Sequence, residues 1–73
     1  MIIAVNGKPV TVEDTRTSIP YEALCWLAQL DPTSAPYVAY RVRGDRQQPR
    51  LVVAGETIAV VVGLYVHCKP NAP

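Results

Sequence analysis

Residues 51–68 read LVVAGETIAVVVGLYVHC, and 13 of these 18 are apolar. How this stretch is read decides the fold. A membrane-spanning helix needs about 20 consecutive apolar residues. Here Gly55, Glu56, Thr57 and Gly63 interrupt the run, and β-branched Val and Ile dominate it. The stretch therefore predicts strand rather than span. Leu51 to Val53 is expected as a short strand, residues 54–57 as a turn, and Ile58 to Cys68 as one long last strand. Gly63 marks a bulge or bend in it.

Upstream, Ile2 to Val5 is β-prone and Asn6-Gly7 follows at once. Both central residues of a type I′ turn need positive φ, which Asn and Gly tolerate. Val10 to Val12 returns as a second strand, with Pro9 at its start where a missing donor is harmless. Ser18 is a possible N-cap and Pro20 a first-turn residue for a helix from Tyr21 to Leu30, stopped by Asp31-Pro32. At 100° per residue Tyr21, Leu24, Leu27 and Ala28 share the face that should pack on the sheet. Glu22, Trp26 and Gln29 fall opposite. After a loop at residues 33–36, Tyr37 to Arg43 alternates. Val38, Tyr40 and Val42 face one way, and Tyr37, Ala39, Arg41 and Arg43 the other.

The whole chain is 73 residues, 49% hydrophobic and 18% charged, with net charge +1. One small domain with a marginal core fits that length. The composition is too apolar for a disordered chain. The near-neutral charge argues against a nucleic-acid-binding domain. The start, MIIAVNGKPV, lacks a positive n-region and a long apolar core, so a cytoplasmic protein without signal peptide or membrane segment is expected. Cys25 and Cys68 read as free, buried thiols in a reducing compartment. With one His and no CxxC pair, no metal or cofactor is expected. His67 and Cys68 are strand neighbours facing opposite ways, so they do not form a base and nucleophile. No enzyme activity is expected.

The element order is thus β-β-α-β-(β)-β, an α+β domain with one helix over one sheet, which is the β-grasp order. The domain spans residues 1–68, and residues 69–73 form a tail. The residues also resemble the bacterial multiubiquitin-type, ubiquitin-like family. The resemblance rests on Val5-Asn6-Gly7-Lys8, then Ile19-x-Tyr21-Glu22-x-Leu24 and Leu27-Ala28-x-Leu30. Tyr37-x-x-Tyr40-x-x-x-Gly44 and Leu51-x-x-x-Gly55-Glu56-x-Ile58-x-Val60 follow, closing with Gly63 and the apolar run from Leu64 to Val66. It covers essentially the whole chain from Ile2 to about Cys68.

The resemblance implies a protein modifier. Such proteins are encoded beside E1-like and E2-like enzymes and a metallopeptidase, in bacterial gene sets several of which are linked to antiphage defence. The modifier's carboxyl terminus is adenylated, passed to an enzyme nucleophile and joined to a target. The chain departs from that pattern in its tail, Lys69-Pro70-Asn71-Ala72-Pro73, which has no terminal glycine. A terminal proline, with its bulky ring and fixed φ, is a poor acyl donor for a narrow channel. Either a peptidase trims the tail, exposing Asn71 or a neighbour, or the domain is not conjugated. A sulfur-carrier role ranks last, because it needs a terminal glycine.

A second departure is the apolar outer phase of the last strand, where Ala59, Val61 and Val62 replace the usual polar residues. With Trp26 across the helix, they predict more exposed apolar area than a monomer usually carries. Burying two valines and a Trp at about 25 cal/mol per Å² contributes several kcal/mol to an assembly. A homo-oligomer is expected, and a filament if unlike surfaces meet head to tail. The alternative for Trp26 is cover by a loop. Arg41, Arg43, Arg46 and Arg50 concentrate four of seven basic residues in one stretch. They face either solvent or an acidic enzyme surface, a nucleic acid being disfavoured by the charge. Two function classes stand: a conjugated modifier, and a non-covalent self-assembling scaffold.

Overall fold

The computed structural model describes residues 1–44, 46 and 49–71. Asn6 (φ 53°) and Gly7 (φ 79°) take the paired positive φ of a type I′ turn. They join β1 (Ile2–Val5) to β2 (Lys8–Thr11), antiparallel with Ile3 opposite Val10. Pro9 sits on β2, an edge strand, where its missing N–H breaks no ladder.

The chain then forms β3 (Ser18–Pro20), α1 (Tyr21–Leu27), a 3₁₀ turn (Pro32–Ser34), β4 (Tyr37–Val42), β5 (Arg50–Val52), β6 (Thr57–Ala59) and β7 (Leu64–Lys69). Five strands make a mixed sheet in the order β2-β1-β7-β4-β5, and β3 pairs with β6 in a separate ribbon. The class is α+β. No helix among the described residues is long and apolar enough to cross a membrane.

β7 lies in the middle of the sheet, parallel to β1 and antiparallel to β4. Asn6 ties it down: its N–H donates to the Val66 carbonyl (2.9 Å), and its Oδ1 accepts from the Cys68 N–H (2.8 Å). Ile3, Val5, Val38, Val52, Leu64, Val66 and Cys68 point to one face, and α1 covers that face with Tyr21, Leu24 and Cys25. Leu24 and Cys25 are fully buried. The Tyr21 hydroxyl reaches the Pro36 carbonyl at 2.6 Å, satisfying the one polar atom this ring brings inside.

Three expectations are corrected. Ser18 is not the helix cap. It lies in β3 opposite Ala59, while Pro20 occupies the N-cap position without a side-chain hydrogen bond. The helix ends at Leu27, not Leu30. Gln29 turns left-handed (φ 61°), the Leu30 N–H bonds the Cys25 carbonyl (2.9 Å) and the Gln29 N–H bonds that of Trp26 (2.9 Å), a Schellman close. Leu27 accordingly turns outward, and Cys25 takes its place in the core. The long last strand is two strands. β6 serves the ribbon and β7 the main sheet, with Gly63 (φ 85°) making the turn between them.

Candidate interaction surface

Trp26 is 63% exposed on the outward side of α1, so no loop covers it. It borders a groove of about 350 Å³ with Val12, Ile19, Ala23 and Leu27, rimmed by Glu13 and Arg16. Glu22, one turn earlier, is exposed on the same side. Arg16 is turned to its own backbone, its Nε donating to the Ser18 carbonyl at 3.0 Å. Asp14 pairs with the N-terminal ammonium, and that hydrogen bond holds its carboxyl below the usual range.

Ala59 is exposed at the end of β6, and Val62 is 81% exposed in the turn that follows. Val61 is partly exposed, whereas Val60 points inward and donates its N–H to the Thr17 carbonyl. Ala59, Val61 and Val62 are thus exposed, the first at the end of β6 and the other two in the connection beyond it rather than along one long strand. Arg43 lies against this turn, its N–H donating to the Gly63 carbonyl at 2.8 Å. The Trp26 groove is lined by none of Ala59, Val61 or Val62.

Lys69 is not tail. It is the last residue of β7, opposite Tyr37, with its ammonium 4.9 Å from the Tyr37 ring centroid. The exposed segment begins at Pro70 and continues in Asn71. Ala72 and Pro73 lie outside the described residues. Arg46 is exposed in the loop between β4 and β5, and Arg50 opens β5 opposite Tyr40.

The surface that sequence reasoning missed is the uncovered face of the main sheet. Registers place Arg41 opposite Tyr65, Ala39 opposite His67 and Leu51, and Ala4 opposite Tyr65. The Arg41 guanidinium stands 5.3 Å from the Tyr65 centroid, a cation–π contact. A groove of about 530 Å³ runs here between Ala39, Arg41, Pro49, Tyr65 and His67. Ile2, Tyr37 and Leu51 add exposed apolar area to the same face. The alternation Tyr37-Ala39-Arg41 pointed to it, but its aromatic half on β7 depended on the phase after Gly63.

The uncovered sheet face carries Arg41 and Lys69 and, in its strands, no Asp or Glu; Lys8, opposite Val5, and Arg50, opposite Tyr40, lie on the helix-covered face, and α1 itself carries Glu22 and no cation. Both thiols are buried and free. Burial raises that of Cys25 and pushes that of Cys68 up to about 11, so neither is a ready nucleophile near neutral pH. No three His, Cys, Asp or Glu side chains gather into a metal-binding group among the described residues. What the surface offers is apolar area, π faces and fixed cations, the elements of protein recognition. Family models, curated proteins and solved structures all lack a match to this chain.

Proposed function

We propose that the chain is a β-grasp protein modifier of the ubiquitin-like kind, joined to targets through a trimmed carboxyl end and self-associating through its exposed apolar surfaces. The observation that carries this reading is the position of β7. The last strand lies centrally, parallel to β1 and clamped by Asn6, and the chain leaves it at Lys69 into exposed Pro70 and Asn71. A segment leaving a rigid central strand is a handle that an enzyme can grip without unfolding the domain. The hairpin, the single helix and the central closing strand together support the β-grasp assignment over a generic α+β sandwich.

On this reading the partners are E1-like and E2-like enzymes and a metallopeptidase that trims the segment after β7, exposing Asn71 or a neighbour. The domain contributes no catalytic group. Its chemistry is the carboxylate it presents. The test is mass spectrometry of the protein from cells that hold the genes beside its own. Isopeptide- or ester-linked adducts, or chains ending before Pro73, are expected. Recovery of only unattached, untrimmed chains refutes conjugation.

A second reading, a non-covalent self-assembling scaffold, is favoured by one specific observation. Trp26 at 63% and Val62 at 81% exposure are large apolar side chains left in water on a 73-residue domain. The two readings are compatible, since a modifier can also assemble.

A further inference from the structure

We infer that the uncovered sheet face of one molecule receives the α1 face of a second copy, with Trp26 entering the groove beside Tyr65 and Glu22 meeting Arg41. This rests on the self-association in the reading above and names the two surfaces that meet.

Three observations carry it. The first is charge. The uncovered face of the main sheet carries Arg41 and Lys69 and, in its strands, no Asp or Glu, while α1 has an acid and no cation. An acidic outside partner explains the sheet face alone. A second copy explains both faces, because each supplies what the other lacks.

The second is spacing. Glu22 and Trp26 lie one helical turn apart, with Cβ atoms about 5–6 Å from each other. Arg41 and Tyr65 are directly opposite across β4 and β7, a separation of about 5 Å. An acid and an indole thus meet a guanidinium and a phenol ring at matching intervals. The groove beside Tyr65, at about 530 Å³, has room for an indole.

The third is placement. α1 packs on the inner face of the sheet, so Trp26 and the groove beside Tyr65 lie on opposite sides of the molecule. A contact between opposite sides is heterologous and does not close on itself after two copies. It adds further copies, as a ring if the rotation between them closes and as an open chain if it does not.

Sedimentation velocity on the full chain, without any enzyme, tests this. The wild type is expected to grow with concentration, and less so as salt rises from about 0.1 to 1 M, where the screening length falls from about 10 to 3 Å. Trp26→Ala and Tyr65→Ala are each expected to weaken association about 30-fold or more, the scale of an interface hot spot. Both are surface changes, and unchanged circular dichroism verifies their folding.

Mixing decides the geometry. Trp26→Ala keeps a good sheet face and Tyr65→Ala a good helix face, so the mixture forms a one-to-one dimer and stops. Glu22→Arg and Arg41→Glu each weaken assembly, whereas Glu22→Arg/Arg41→Glu in one chain restores it. A wild type that stays monomeric to about 1 mM overturns the proposal, as does a Trp26→Ala/Tyr65→Ala mixture that stays monomeric or a double charge reversal that fails to rescue. A sheet face that binds an acidic peptide or oligonucleotide while the chain stays monomeric overturns it too. None of these outcomes touches conjugation, which is read separately by mass spectrometry.

Discussion

Asn6 does two jobs with one side chain, and a substitution series separates them. It sits at φ 53°, a conformation that Asn and Gly tolerate and Ala does not, at about 1–2 kcal/mol. Its Oδ1 also takes the Cys68 N–H, which is part-buried and otherwise loses its partner. Leaving such a donor unpaired costs about 1–3 kcal/mol. Asn6→Ala loses both, so destabilisation of about 2–5 kcal/mol is expected. Asn6→Gly keeps the turn and loses the acceptor, for about 1–3 kcal/mol. Asn6→Asp keeps both and stays within about 0.5 kcal/mol of the wild type at neutral pH. Total stability for 73 residues is about 4–11 kcal/mol, so the alanine change removes a large share. Urea unfolding reads the series. At a slope of about 1 kcal/mol per M, the Asn6→Ala midpoint falls by about 2 M or more. Faster exchange of the Cys68 amide in Asn6→Gly confirms the lost partner. Equal midpoints for Asn6→Gly and wild type would refute the claim that this hydrogen bond holds β7 in place.

Tyr21→Phe strands the buried end of a 2.6 Å hydrogen bond, and a loss of about 1–2 kcal/mol by thermal or urea unfolding is expected. Gly63→Ala places a Cβ 2.9 Å from that of Arg43 at φ 85°, so about 1–3 kcal/mol is lost and the melting temperature falls. The Cys68 thiol is held neutral by burial, which raises its pKa to about 11 from the ordinary 9.0. The raised value means that its stabilising contribution is complete below pH 9 and is lost as pH rises toward 11. Urea midpoints are expected to drop across that window and to drop less in Cys68→Ala. In folded protein both thiols should resist alkylation at pH 8 and react once urea is added.

Local rules reached the hairpin because Asn-Gly has few other uses between two β-prone runs. The alternating phase of β4 was legible for the same reason: period two leaves little choice. The ribbon of β3 and β6 was not. Its strands are three residues each, and only Ile19 and Ile58 bury against the core, too few to set a period. Residues 58–68 read as one strand because β-branched residues continue past Gly63. Nothing local says that the partner strand changes from β3 to β4. The helix end was missed because a Gln, not a Gly, takes the left-handed position. Trp26 and Val62 were placed outward by pattern alone. The groove beside Tyr65 was hidden because it is built from two strands, β4 and β7, the β1–β2 turn and Pro49, whose neighbours are set by topology, not by sequence distance.

The central place of β7 also bears on how the molecule comes into being on the ribosome. Ala4 pairs with Tyr65 and Val5 with Val66, contacts that span most of the chain. At about 5–20 residues per second, the hairpin waits several seconds for its neighbour to be made. Until residue 69 clears the exit tunnel, β1 and β4 each keep an unpaired inner edge. Long-range closure of this kind places folding on the slow side for so small a domain, in milliseconds to seconds. The nascent chain is therefore exposed to wrong strand partners until β7 emerges, and polysomes crowd many such open edges together.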